Sequence, residues 1–291
     1  MKNHYFAIDV ETANADYSSI CQIGVAEFEN GNILRTWKSY VNPEQCFDQF
    51  FVNVHGIDHD TVKDAPKIPE VLEQLSMMVS NHRLVHHMPF DKCALNRACE
   101  NYLIDYLPVT WIDSAKIVRR NWTEYSQKGY GLGNITRHLG ISYRAHDALE
   151  DAISAGKVVY EAIRQSGKSI EDWESLMCRP ITPRTYNGKS VSYKMEGNQD
   201  GPLYGESVVF TGTLSQPRSE MAVIAAEAGC RVQDGVNHQT TLLVVGFQTE
   251  YRLNGYDKSS KQRKAEQMVG KGFDIKIVSE DDFRWMADLG G

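Results

Sequence analysis

The stretch HYFAIDVETA, residues 4–13, combines a buried-strand pattern with two carboxylates at its end. Its aromatic and β-branched residues predict a β-strand. Asp9 and Glu11 are two positions apart, so on a strand they project from the same face. Adjacent carboxylates repel each other unless a cation lies between them, and hard divalent ions prefer oxygen ligands. The stretch therefore favours a Mg²⁺ or Mn²⁺ site, with two solvated carboxylates on a sheet edge as the alternative.

The segments that follow predict an α/β fold. ICQIGVAEFENGNILRTWKSYVNP, residues 20–43, contains two alternating strands joined by an Asn-Gly hairpin signal. Residues 65–80, 131–142 and 148–165 carry apolar side chains at helical spacing, and residues 83–102 run from a short strand into a helix. A meander followed by alternating helices and strands is typical of a mixed sheet covered by helices.

Length and composition indicate two domains. The chain has 291 residues, of which 42% are apolar and 24% charged, with a formal net charge of −7. Residues 1–165 carry a net charge of −5, residues 166–200 zero and residues 201–291 −2, so the first segment holds most of the acidic excess. Residues 166–200 are rich in Pro, Gly, Asn and Ser, which predicts a linker. We expect domains over 1–165 and 201–291.

Nothing in the sequence predicts export or a membrane segment. The N-terminal residues lack the apolar run of a signal peptide, and no later segment is apolar enough to cross a bilayer. The six cysteines are scattered and do not show zinc-ligand spacing. We expect a reduced, cytoplasmic and nucleoid-associated bacterial protein whose cysteines mostly fill the core.

Two further motifs carry candidate functional residues. In PFDKCAL, Asp91 lies at the start of a helix, where an ordinary helix N-cap is the alternative to a metal ligand. In AHDALEDA, residues 145–152, His146 precedes a helix and Asp151 lies one turn inside it. An HD-type metal phosphohydrolase is excluded, because it needs several further His and Asp ligands that the sequence does not offer.

Together these motifs resemble the DEDD superfamily of 3′→5′ exonucleases, in its His-containing branch. The resemblance covers residues 3–165 and rests on five residues in order: Asp9, Glu11, Asp91, His146 and Asp151. It implies an RNase H-like, mixed-sheet exonuclease domain. One departure lies at the second motif, which reads HHMPFD where the family often has AHNAxFD.

The resemblance also implies the chemistry of the site, which is phosphodiester hydrolysis with two Mg²⁺ or Mn²⁺ ions. Asp9 would bridge both ions, Glu11 and Asp151 would hold the ion that carries the attacking water, and Asp91 would support the second ion. His146 would take the proton from that water, because an ordinary histidine is largely neutral at physiological pH.

Two weaker expectations concern the 3′-terminal nucleotide. In relatives, the positions that match Thr12 and Ile57 lie where this nucleotide is held. Ile57 is otherwise an ordinary apolar loop residue, and that interpretation stays open.

The C-terminal segment, from about residue 203 to the end, resembles a BRCT domain. The segments FTGTL, AEAGCRV, TTLLVVG and SKQRKAEQM carry the resemblance, which implies a small α/β domain with a parallel sheet. Thr211, Gly212 and Lys261 are candidate phosphate-binding residues, because a hydroxyl, an accessible N–H and a cation at a helix N-terminus all favour anions. The alternative is a Thr-Gly turn beside a solvated basic helix face.

The sequence as a whole predicts an enzyme that removes nucleotides from DNA 3′ ends, which are single-stranded or frayed. The second domain would recruit it in replication or repair through a DNA polymerase or a repair protein. The alternatives are an exoribonuclease that trims RNA ends and a DNA-repair scaffold that only binds nucleic acid.

Overall fold

The computed structural model of the chain describes residues 3–122, 130–142, 144–177, 197–246 and 258–288. The chain divides into two compact units, Met1–Arg179 and Pro180–Gly291. Among these described residues, no helix combines the length and the apolar character needed to cross a membrane.

The first unit is built on a five-stranded mixed sheet with the order β3-β2-β1-β4-β5. β1, β2 and β3 form an antiparallel meander, and β4 and β5 run parallel to β1. Asn30 and Gly31 join β2 to β3, with φ angles of 52° and 86°, as a tight hairpin requires. The predicted mixed sheet is confirmed. The strands are β1 His4–Thr12, β2 Ile20–Glu29, β3 Asn32–Tyr40, β4 Arg83–His86 and β5 Thr110–Asp113.

Eight helices belong to the described part of the first unit, and the longest packs against β1 and β2. They are α1 Gln49–His55, α2 His59–Val62, α3 Ile68–Val79, α4 Phe90–Tyr102, α5 Ser114–Asn121, α6 Leu132–Leu139, α7 Ala148–Ser166 and α8 Ile170–Met177. The buried face of α7 is rich in alanine and glycine, which lets the helix lie close to the sheet. The buried Tyr5 hydroxyl donates a hydrogen bond of 2.9 Å to the Gly156 carbonyl and ties the middle of α7 to β1.

Helix α8 lies inside the range 166–200 that the composition assigned to a linker. Its Trp173 side chain is 2% exposed, and Arg83 on β4 forms ion pairs with Glu171 and Glu174 at 3.0 and 2.7 Å. These contacts hold α8 on the first unit, so the compact part of that unit extends at least to residue 177. Most of the predicted linker, residues 178–196, lies outside the described residues.

The second unit has a four-stranded sheet in which every strand is parallel, with the order β7-β6-β8-β9. Phe283 is fully buried and packs edge-on against Phe210, 5.6 Å between ring centroids. The elements are β6 Ser207–Thr211, α9 Arg218–Glu227, β7 Arg231–Gln233, β8 Leu242–Val245, α10 Ser260–Val269, β9 Lys276–Ser279 and α11 Glu280–Asp288.

Candidate active site

Three carboxylates from two distant parts of the sequence meet at the end of β1. Asp9, Glu11 and Asp151 each offer an oxygen, and these oxygens lie within 4.8 Å of one another. Asp9 and Glu11 share one face of β1, and Asp151 comes from the first turn of α7. Asp151 is 9% exposed and the other two are partly exposed, so the cluster faces a surface that a ligand can reach. Hard oxygen donors in such a group fit Mg²⁺ or Mn²⁺.

A glycine on β2 allows α7 to approach this strand end. Gly24 pairs with Asp9 across the sheet. A Cβ atom at Gly24 would lie 2.2 Å from the Leu149 nitrogen and 2.4 Å from the Ala148 carbonyl oxygen. The first turn of α7 therefore occupies the space of the missing side chain, and this close approach places Asp151 beside Asp9.

The N-terminus of α7 has two further attachments. Asp147 is its N-cap, and the carboxylate accepts the Leu149 N–H at 3.1 Å. Lys38 on β3 lies 3.0 Å from the same carboxylate. Burial raises the pKa of Asp147, but the hydrogen bond and charge of Lys38 outweigh it and hold the pKa below its usual range. Asp147 is thus a cap residue just before the first turn of the helix.

His146 lies on the exposed turn that enters α7. Its φ of 65° is left-handed, which is uncommon for a residue with a side chain. The His146 N–H donates to the Asp151 Oδ2 at 2.8 Å. The backbone of the candidate base is therefore tied to a carboxylate of the cluster.

Asp91 lies beside β1, but it is not one of the three carboxylates within 4.8 Å. It is 3% exposed in the first turn of α4, whose N-cap is Pro89. Its Oδ1 accepts the Val10 N–H at 3.1 Å. Asp91 is therefore not a simple helix cap, since its carboxylate is directed at the strand that carries Asp9 and Glu11.

Met88 occupies a left-handed conformation, with φ of 66°, just before α4. Asn adopts this region more readily than Met, so Met88 has a backbone cost here. Buried polar groups hold the residue there: the Met88 N–H donates to Asp113 at 3.1 Å, and the Met88 carbonyl accepts from His86. The Arg119 guanidinium contacts the Met88 sulfur at 3.4 Å.

His55 is a candidate site residue that the sequence reasoning missed. Its Nε2–H donates to the Thr12 carbonyl at 3.1 Å, and its Nδ1 accepts the Ile57 N–H at 3.0 Å. Burial lowers the pKa of His55, the Thr12 carbonyl acts in the opposite direction, and the nearby charge of His146 lowers it further. The hydrogen bonds thus fix a neutral tautomer close to His146. The VHGI segment was the only sequence signal for it.

The two expected 3′-nucleotide residues have different surroundings. Thr12 is partly exposed at the end of β1, beyond a register shift between Glu11 and Thr12. Ile57 is 4% exposed and packs in a small core cluster with Ala13, Cys21 and Val62. The Ile57 side chain is therefore part of the core in this conformation, and its contact with a 3′-terminal nucleotide stays a prediction.

Residues 6–159 match the exonuclease family of the RNase T type, which is more than half of the chain. The chain belongs to this exonuclease family. The match covers β1 through most of α7 and therefore includes every residue of the carboxylate cluster.

The chain also resembles part of much longer bacterial proteins. It is 26% identical over 195 residues to the PolC-type DNA polymerase III of Streptococcus pneumoniae, a match that covers 65% of this chain and 13% of the polymerase. A similar polymerase from Oceanobacillus iheyensis is 27% identical over 167 residues, covering 55% of this chain and 11% of that protein. The chain thus spans about an eighth of the length of the first of these relatives.

A solved structure shows the same fold. The zinc-bound E. coli ExoI–ssDNA complex matches with a TM-score of 0.50 and 12% identity, covering 57% of this chain and 41% of that chain. The likeness extends to the fold alone, and it identifies the first unit of this exonuclease-family chain as an α/β RNase H-like exonuclease fold with a mixed sheet.

The candidate phosphate site of the second unit brings Thr211 and Lys261 near each other. The Thr211 hydroxyl donates to the Ser259 Oγ at 2.8 Å, and the Lys261 ammonium donates to the Phe210 carbonyl at 3.0 Å. Gly212 follows with a φ of 76°. Of these residues, Phe210 and Lys261 line a cavity of about 220 Å³, whose other lining residues are Arg218, Ala222, Val232, Gln233 and Asp234.

Two cations share this second-unit cavity. Arg218 donates to the Gly212 carbonyl at 3.0 Å, and it lies near enough to Lys261 to affect its titration. Burial lowers the pKa of Lys261, the positive charge of Arg218 lowers it further, and the Asp234 carboxylate opposes both. An anion in the cavity would relieve the repulsion between Lys261 and Arg218.

Proposed function

We propose that the first unit is a Mg²⁺- or Mn²⁺-dependent exonuclease that hydrolyses phosphodiester bonds from 3′ ends, chiefly of DNA. The convergence of Asp9, Glu11 and Asp151 within 4.8 Å carries the proposal. Membership of the exonuclease family supports it, because the three residues lie inside the matched region.

The carboxylates and His146 would have different roles in hydrolysis. Asp9, Glu11 and Asp151 would hold the divalent ions, with Asp91 contributing from its position beside the Val10 N–H. Two such ions supply Lewis acidity and neutralise the charge of the reacting phosphate. His146, on its exposed turn, would accept the proton of the attacking water, which gives a nucleoside 5′-monophosphate as product.

The polymerase relatives favour DNA as the proposed substrate class. PolC-type DNA polymerase III matches more than half of this chain, and those relatives act on DNA by name. The first alternative is an exoribonuclease that trims RNA 3′ ends, since the five site residues do not by themselves distinguish ribose from deoxyribose.

The test is Mg²⁺-dependent release of mononucleotides from 3′-labelled substrates. Single-stranded DNA, 3′-mismatched duplex DNA and single-stranded RNA are compared with wild-type protein, Asp9→Asn and Asp151→Asn. We expect DNA to be degraded faster than RNA and each substitution to reduce the rate at least about 100-fold. Glu161→Gln removes a carboxylate from the same helix α7, at a position paired with Arg164, and should leave the rate unchanged.

Retention of activity in Asp9→Asn or Asp151→Asn would refute the proposed site. Faster degradation of RNA would replace DNA with RNA as the substrate class. Nucleic-acid binding without cleavage by wild-type protein would favour the scaffold alternative.

We also propose that the second unit is a BRCT-type module that recruits the nuclease to DNA ends or to a polymerase or repair protein. The parallel β7-β6-β8-β9 sheet and the cavity between Arg218 and Lys261 support this proposal. A phosphate group in that cavity would contact both cations, and the N-terminus of α10 would add a favourable dipole.

The probe for the second unit is a 5′-phosphorylated duplex, compared with the same duplex lacking the phosphate. Lys261→Glu is expected to weaken binding of the phosphorylated duplex about tenfold. Lys264→Glu is the matched control, because Lys264 is exposed on the same helix α10 and does not line the cavity. Equal loss in both variants would indicate a diffuse charge effect and contradict a specific phosphate site.

A further inference from the structure

Gln22 connects the sheet to the first residue of α7. The side chain lies on β2 and is 3% exposed. Its Oε1 accepts the Ala148 N–H at 3.0 Å, and Ala148 is the first residue of the helix. The N–H groups of a first helical turn have no acceptor within the helix, so each needs one from outside.

The helix start therefore has two different caps. Asp147 accepts the Leu149 N–H, and this local cap moves together with the helix. Gln22 accepts the Ala148 N–H from a neighbouring strand, so this bond fixes the helix against the sheet. The second cap therefore helps to determine where α7 begins relative to β1 and β2, together with the Lys38 ion pair to Asp147 and the close approach at Gly24.

The position of Gln22 relates this bond directly to the carboxylate cluster. Gln22 pairs with Glu11 across β1 and β2, and Gly24, two residues on, pairs with Asp9. Asp151 follows Ala148 by three residues, which is nearly one helical turn. A movement of Ala148 away from β2 therefore carries Asp151 away from Glu11.

We infer that Gln22 is a positioning residue that sets the separation of Asp151 from Asp9 and Glu11 through its hydrogen bond to Ala148. It does not touch the substrate or take part in proton transfer. The inference rests on the proposed nuclease function for its kinetic effect, whereas its effect on cation binding does not depend on catalysis.

The chain offers a matched control on the same helix. Tyr5→Phe removes another buried hydrogen bond between the sheet and α7, the 2.9 Å bond to the Gly156 carbonyl. Gly156 is eight residues beyond Ala148, about 12 Å along the helix. Gln22→Met and Tyr5→Phe thus each delete one sheet-to-α7 hydrogen bond while keeping a side chain of similar length.

The experiment measures Mn²⁺ affinity by calorimetry, kcat and KM on 3′-labelled single-stranded DNA, and Tm, all on the full chain. For Gln22→Met we expect Mn²⁺ affinity to fall about tenfold, as for other groups that orient metal ligands. We expect kcat to fall about tenfold or more while KM stays within about threefold. Tyr5→Phe should lower Tm about as much as Gln22→Met does, whereas its Mn²⁺ affinity and kcat should stay within about twofold of wild type.

Equal effects of the two variants on Mn²⁺ affinity and kcat would overturn the inference, because they would assign Gln22 a general stabilising role. Unchanged Mn²⁺ affinity in Gln22→Met would overturn it as well. If wild-type protein binds Mn²⁺ but releases no nucleotides, the proposed function fails, and the Mn²⁺ comparison still decides the role of Gln22.

Discussion

Gly24→Ala is the substitution that most directly tests how the site is assembled. The Cβ of the new alanine would lie 2.2 to 2.4 Å from backbone atoms of Ala148 and Leu149. Backbone atoms cannot rotate away as the end of a side chain can, so the first turn of α7 has to move. Asp151, in that turn, would move with it.

The size of the movement follows from ordinary contact distances. Carbon atoms in contact are about 3.5 to 4 Å apart, so the helix must retreat by roughly 1.2 Å or more. Overpacking of this kind costs about 1 to 3 kcal/mol of stability. A misplacement of about 1 Å in a catalytic site can cost about 100-fold in rate, so activity should fall much further than stability.

Urea denaturation, Mn²⁺ calorimetry and 3′-labelled DNA release measure the three effects for Gly24→Ala. Gly156→Ala is the control, since its Cβ would meet the Phe28 ring at 2.2 Å, in the middle of the same helix. We expect Gly156→Ala to lose stability while its Mn²⁺ affinity and rate stay within about threefold of wild type.

A Gly24→Ala protein that binds Mn²⁺ and releases nucleotides as wild type does would refute this reasoning. Equal losses of rate in Gly24→Ala and Gly156→Ala would also refute it, because the position of the first turn would then have no special importance.

The remaining predictions concern cation binding, pH and Met88. Mn²⁺ at ten times its Kd should stabilise the wild type by about 1.4 kcal/mol, measured as a rise in Tm, and Asp9→Asn should abolish the rise. Burial lowers the pKa of His55, so below the unfolded-state pKa of about 6.5 the unfolded chain binds a proton that the folded protein resists. Stability should therefore fall between pH 7.5 and 5.5 by more in wild type than in His55→Gln, and equal losses in urea denaturation would contradict this sign. Met88→Asn should be about 1 kcal/mol more stable than Met88→Ala by urea denaturation, because Asn tolerates the left-handed φ and offers Arg119 an oxygen; the reverse order would contradict it.

Much of the local structure follows from short-range patterns in the sequence. The alternation in residues 4–13 and 20–43 predicts the strands, and Asn30-Gly31 predicts the hairpin that the structure contains. The two-residue spacing of Asp9 and Glu11 is enough to place both on one face, since side chains alternate along a strand. The order of the motifs also indicates the exonuclease family, which the family match confirms.

Other features depend on contacts between distant segments, which local patterns do not specify. Ile57 could be exposed or buried in its loop, and only its packing on Ala13, Cys21 and Val62 makes it core. Asp91 could cap α4 by its sequence position, yet its carboxylate accepts a hydrogen bond from the Val10 N–H on β1. The VHGI segment does not specify the state of His55, because its neutral form depends on burial and on hydrogen bonds to Thr12 and Ile57.

The carboxylate cluster depends both on local sequence patterns and on contacts between distant segments. The sequence by itself determined which residue types lie at the end of β1 and at the start of α7, because strand and helix periods set the direction of each side chain. The tertiary structure decided that the two groups meet, since the helix can approach only where Gly24 leaves space and Gln22 provides an acceptor. Separation along the chain does not determine distance in space, and here close packing of helix on sheet brings Asp151 to Asp9.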